Sequence, residues 1–145
     1  MKGDILADTD NVARLCGGSH IDPDTGAPGP GAFMLREGES YLSVNWLEYF
    51  EQLNHEERLR EIKQALASKR TVGRTALLAL LNVGSTTRHV GEDPLLAFTH
   101  EPIEDPELPP DPSHSGINNF QGLDILVAEK LSQAVYEQCP ARTDD

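Results

Sequence analysis

The placement of proline and glycine does more than any other feature to limit what this chain can fold into. Ten prolines and twelve glycines punctuate 145 residues, and they gather in two places. Asp22 to Gly31 reads DPDTGAPGPG, turn chemistry from end to end, because glycine admits positive φ while proline fixes φ and removes a backbone donor. Glu101 to Pro112 holds five prolines and five acids, a density that cannot pair within a sheet and that favours extended polyproline geometry. Both stretches read as loops, the second as an ordered loop or lid. No heptad and no βαβ alternation spans the remainder.

Between the loops, hydrophobic spacing marks the elements. Tyr41 to Trp46 alternates, with Leu42, Val44 and Trp46 on one side and Tyr41, Ser43 and Asn45 on the other, the pattern of a half-buried strand. The apolar run from Ala32 to Arg36, closed by the Glu37-Gly38-Glu39 turn, is a candidate hairpin partner for it. Asn54 and Glu57 have the spacing of a capping box, and Leu59, Ile62 and Leu66 follow at helical spacing, which predicts a helix ending near Lys69. Thr75 to Val83 (TALLALLNV) suits a helix or a buried strand; its short length between Gly73 and Gly84 favours the strand. Leu95 to His100 (LLAFTH) reads as another strand, and the turn residues Gly91 to Pro94 would make the two a hairpin in the heart of a sheet. Leu123, Val127, Leu131 and Val135 recur every four residues and predict a C-terminal helix stopped by Pro140, with Ala141 to Asp145 a frayed tail. Asp4 to Cys16 fits a short strand or a helical turn equally. The expected architecture is one α+β domain over residues 1–140, a small, mostly antiparallel sheet packed by two helices.

Charge narrows the partners. Twelve Lys and Arg against 24 Asp and Glu give a formal net charge of −12. Such a surface repels phosphate backbones and anionic lipid heads within a Debye length of roughly 8 Å. The one basic cluster, Lys69-Arg70 with Arg74, is too short for a duplex grip. Nucleic acid is therefore not an expected partner, whereas a basic protein suits the charge. The longest apolar run, Ala76 to Leu81, cannot span a bilayer. Met1-Lys2-Gly3-Asp4 is followed by no apolar run, so a secretory signal is not expected there. Cys16 and Cys139 have neither zinc-ribbon nor redox spacing. A cytoplasmic protein with reduced thiols and no cofactor is expected.

The segment richest in chemical groups is Asp111-Pro112-Ser113-His114-Ser115-Gly116-Ile117. A histidine between two hydroxyls, on a loop stiffened by proline, can serve as general base or metal ligand because its pKa lies near neutrality. Ser113 or Ser115 becomes a nucleophile only if an orienting partner reaches His114. The plainer reading makes Asp111 and Ser113 turn formers and bonds His114 to backbone. On that reading His114→Ala, a loop substitution, costs under about 1.5 kcal/mol. His100 closes its strand on the face of Leu96 and Phe98. It either meets His114 across the proline-rich loop, with Asp105 or Asp111 in support, or donates to a carbonyl at the edge of the core. His20, His55 and His89 read as surface histidines and Trp46 as core. No metal is assigned, and no Gly-rich phosphate loop, GxSxG elbow or HExxH is present.

Two functions follow. The favoured one is a small acidic, non-enzymatic accessory or inhibitor protein acting through protein–protein interaction, its partner held by Glu101, Glu104, Asp105, Glu107 and Asp111 on an extended segment. It needs an ordered acidic edge or an exposed apolar patch. The alternative is a small hydrolase or phosphate-handling enzyme with His114, His100, Asp111 and Ser115 as its catalytic groups. That reading needs His100 and His114 within a side chain's reach around a concave pocket.

Overall fold

Strand β1 (Asn11–Cys16) settles the open choice at the start of the chain, and the alternating segment forms β2 (Leu42–Trp46), with Leu42 and Val44 buried. The computed structural model describes residues 1–120 and 124–143. The remaining strands are β3 (Leu77–Asn82), β4 (Ala97–His100), β5 (His114–Asn118) and β6 (Glu137–Pro140). They form one six-stranded sheet in the order β4-β5-β2-β1-β3-β6, and every pairing is antiparallel. Among the described residues three α-helices complete an α+β domain: α1 (His55–Lys69), α2 (Val83–Val90) and α3 (Ile125–Ala134).

The capping box forms as its spacing predicts. The Asn54 side chain accepts from the Glu57 N–H and the Glu57 carboxylate accepts from the Asn54 N–H, satisfying two end donors and contributing about 1 kcal/mol. Leu59, Ile62 and Leu66 turn the inner face of α1 onto Ala13, Leu47, Leu78 and Leu80. The opposite face of the sheet packs Val12, Leu42, Val44, Leu81, Phe98 and Ile117 against α2, α3 and the 3-10 turn Pro30–Phe33. The sheet is thus a middle layer. Strand β3 sends Leu78 and Leu80 to α1 and Ala79 and Leu81 to the other side, which is why its sequence shows no alternation to read.

Several expectations are corrected. β3 and β4 form no hairpin: Asn82 caps α2 through the Ser85 N–H, and three strands separate the two in the sheet. The Ala32–Arg36 run is no strand; Ala32 and Phe33 belong to the 3-10 turn and are buried there. The C-terminal helix stops at Ala134, where the branched and aromatic Val135 and Tyr136 leave helical geometry, and the chain returns as β6 beside β3. Leu123 lies outside the described residues. Ala141, read as part of the tail, is buried and its N–H donates to the Ala76 carbonyl at 2.9 Å.

The outer margin of β4 is covered by the start of the chain. Gly3 and Leu6 donate to the carbonyls of His100 and Phe98, and His100 donates back to Asp4.

Candidate functional site

Strand register decides what the two histidines can do together. His100 pairs with Ser115, and His114 pairs with Asn45. Paired residues share a face and successive residues alternate, so His100 and Ser115 lie on one side of the sheet and His114 on the other. His100 packs edge-on against Trp46, ring centroids 5.1 Å apart, and its Nε2 donates to the Pro112 carbonyl at 2.6 Å. His114 Nδ1 donates to the Glu101 carbonyl at 2.8 Å. A carbonyl can only accept, so both bonds fix where the imidazole proton sits. The two-histidine site is not formed. Both rings do what the plainer reading asks of them.

The serines are likewise engaged with their surroundings. Ser115 Oγ donates to the Ser113 carbonyl at 3.1 Å and Ser113 Oγ accepts from Asn45 Nδ2 at 3.0 Å. Neither hydroxyl is bonded to a histidine among the described residues. Asp111 is fully buried, its carboxylate holding Lys69 Nζ and accepting from Asn45 Nδ2 at 2.8 Å. This tie joins the C-terminal end of α1 to the base of the proline-rich loop. It also removes Asp111 from the acids a partner could touch.

His114 belongs to β5 rather than to a loop, and it is 7% exposed. Tyr41 lies beside it at 5.9 Å between ring centroids. The close approach depends on Gly116: a Cβ there would come within 2.4 Å of Tyr41 Cδ1. Burial holds the His114 imidazole below its ordinary pKa, against the opposing pull of the Glu101 carbonyl bond. Two outcomes follow. His114→Ala should cost about 1–3 kcal/mol at pH 8, more than a loop residue would, since it orphans a carbonyl and opens the Tyr41 contact. The folded state favours the neutral ring, so its contribution is complete above the unfolded pKa of about 6.5 and is lost as pH falls toward the lower folded value. Urea unfolding at pH 8 and pH 5.5 should therefore show the gap between wild type and His114→Ala narrowing in acid. A gap that widens would mean the ring is bound as imidazolium.

The other histidines are placed more specifically than the sequence suggests. His55 Nε2 lies 2.8 Å from Glu137 Oε2 on β6, and His89 Nε2 lies 2.8 Å from Gln133 Oε1 on α3. His20 is exposed in a 3-10 turn. Among the described residues, no three His, Cys, Asp or Glu side chains converge as a metal site, and no helix is long and apolar enough to cross a membrane.

The acidic loop is closed at its base by paired bonds between Ile103 and Asp111, at 3.1 and 3.3 Å. Asp105 caps a turn inside it, accepting from the Glu107 N–H at 2.9 Å. Glu104, Asp105 and Glu107 are exposed, while Glu101 is half-buried and accepts from Thr99 Oγ1. Where the loop meets α1, a groove of about 360 Å³ runs past Phe50, Ala65, Pro109 and Pro110, with Glu61 on its α1 side.

A second concavity, about 560 Å³, opens on the His114 face. It exists because β1 and β2 pair only at Val12↔Trp46 and Ala13↔Asn45 and then part. The Arg14 side chain spans the gap, its Nε donating to the Ala32 carbonyl at 2.9 Å and its Nη1 to the Ser43 carbonyl at 2.8 Å. Lys69 and Arg70, at the end of α1, and Arg36, before the Glu37-Gly38 turn, line it too. Of these cations, sequence reading finds only the adjacent pair at the end of α1; Arg14 and Arg36 carry no local signal and are gathered by the fold. No protein family, characterised protein or solved structure matches this chain.

Proposed function

We propose that this chain is a non-enzymatic accessory or inhibitor protein that acts by docking a basic protein partner along its acidic loop. The observation that carries the reading is the groove between α1 and the loop. Phe50, Ala65, Pro109 and Pro110 give it an apolar floor, and Glu61 stands at its side. The neighbouring Glu104, Asp105 and Glu107 are exposed, and Leu108 beside them is 53% exposed. An apolar strip beside acids that are in no ion pair among the described residues favours a partner segment that presents apolar side chains among Lys and Arg. The backbone bonds that close the loop lower the ordering cost of docking, because the acids are held in place before the partner arrives. The enzymatic alternative has lost its geometric support, since His100 and His114 occupy opposite faces of the sheet.

The test is affinity capture from the native host at low salt, comparing wild type with Glu104→Gln/Asp105→Asn/Glu107→Gln. A stoichiometric basic protein is expected with wild type, lost with the triple variant and retained by Arg36→Ala. Recovery of the protein alone, or capture indifferent to the triple substitution, would overturn the reading.

A further inference from the structure

We propose that the cleft between the end of α1 and the parted strands β1 and β2 is a binding site for a small phosphate ester. It goes beyond the partner reading and uses none of the acidic loop.

Acids outnumber Lys and Arg by 24 to 12 in this chain, so arginines scattered over its surface would readily meet carboxylates. Instead Arg14, Arg36 and Arg70 converge on one cleft, and among the described residues none of the three is in an ion pair. The fourth cation there, Lys69, is held by Asp111. The lining has one acid, Glu39. Three positive charges and one negative leave a surplus of two. A phosphate monoester carries about −1.5 to −2 at neutral pH, which matches it.

The guanidinium groups of Arg36 and Arg70 lie close enough to act on that of Arg14. Burial chiefly holds Arg14 below the ordinary arginine range; Cys16 and Glu39 oppose this, while Arg36 and Arg70 add to it. Unpaired like charges close enough to disfavour one another are stabilised by an anion lodged between them. Arg14 is also pre-positioned, because two backbone carbonyls fix its guanidinium plane, and planar forks are what bidentate phosphate recognition uses.

Size and lining narrow the class. About 560 Å³ lies within the range of small-molecule sites and exceeds what phosphate alone would fill. Among the described residues no Phe, Tyr or Trp lines the cleft, so a nucleobase would lack the larger aromatic platforms there. Ser43 and Thr71 are among its neutral residues, which suits a polar body such as a sugar. A polyanion is disfavoured, since charges beyond the cleft would lie over a surface with a net charge of −12.

The experiment is isothermal titration of the full chain at low salt with ribose 5-phosphate, inorganic phosphate and ribose. The ester is expected to bind and ribose not to bind. Arg36→Ala and Arg70→Ala, both at exposed positions, should each weaken the ester by about tenfold, as loss of one charged hydrogen-bonding partner does. Arg74→Ala, outside the lining, should change affinity less than twofold. Equal affinity for inorganic phosphate would keep the site and name free phosphate as its ligand. No binding of either phosphate probe at ~10 mM, a concentration at which even a millimolar site would saturate, would overturn the proposal. So would equal losses in Arg74→Ala and Arg70→Ala, since general surface charge would then explain the binding. Neither result bears on the partner captured through the acidic loop.

Discussion

Replacing Lys69 with alanine should destabilise the fold by about 3–5 kcal/mol, the range seen when one member of a buried ion pair is removed. Asp111 has no exposed surface. Its carboxylate is supported by the Lys69 ammonium and by one amide donor, Asn45 Nδ2 at 2.8 Å. Without the ammonium, a charged group remains in dry surroundings with half of its support gone, and the loop base must open to let water reach it. The cost therefore belongs to the orphaned charge rather than to the lost attraction. Lys69→Met combined with Asp111→Asn should recover most of it, because the amide oxygen still accepts from Asn45 and no charge is buried. Urea unfolding of Lys69→Met, of Asp111→Asn and of the double closes the cycle. A Lys69→Ala loss below about 1 kcal/mol, the worth of a surface pair, would mean that water already reaches the carboxylate.

Leu78→Ala is the second large effect, expected at about 2–5 kcal/mol. Leu78 is fully buried on the α1 face with Leu80, Ile62 and Leu66. β3 is flanked by β1 and β6, so its backbone is held from both sides and has little freedom to close the cavity. Leu77, half-buried on the alternate side of the strand, should cost distinctly less on the same substitution. Equal losses would mean that Leu77 is as fully enclosed as Leu78. Chemical denaturation of the two variants measures both.

Local signals were legible and pairings were not. The Asn54–Glu57 box and the alternation of β2 are written within a few residues, and both elements form where their spacing places them. α2 escaped notice because Thr86 and Thr87 are weak helix formers and the segment is held by its Asn82 cap and by packing of Val83 and Val90. The turn residues at Gly91 to Pro94 mark a change of direction without naming the strand that follows as a neighbour, so β3 and β4 look adjacent in sequence and are not. The candidate site fared similarly. The segment from Asp111 to Ile117 is structurally central, but the partners of Asp111, Asn45 and Lys69, lie 66 and 42 residues away in the chain. Nothing in its own residues announces that Asp111 is enclosed. Register supplied the remaining fact, that neighbours in sequence at 114 and 115 face opposite layers.

The covering of β4 by residues 3–6 has a consequence for how this protein meets others. A strand approaching that margin would have to displace bonds already made by Gly3, Asp4 and Leu6. At the far margin β6 is four residues long and ends in Pro140, which offers no N–H. Templated growth of the sheet from one molecule into the next is discouraged at both ends. Recognition is left to side chains, so association should respond to ionic strength and to single substitutions, and not to the register of a borrowed strand.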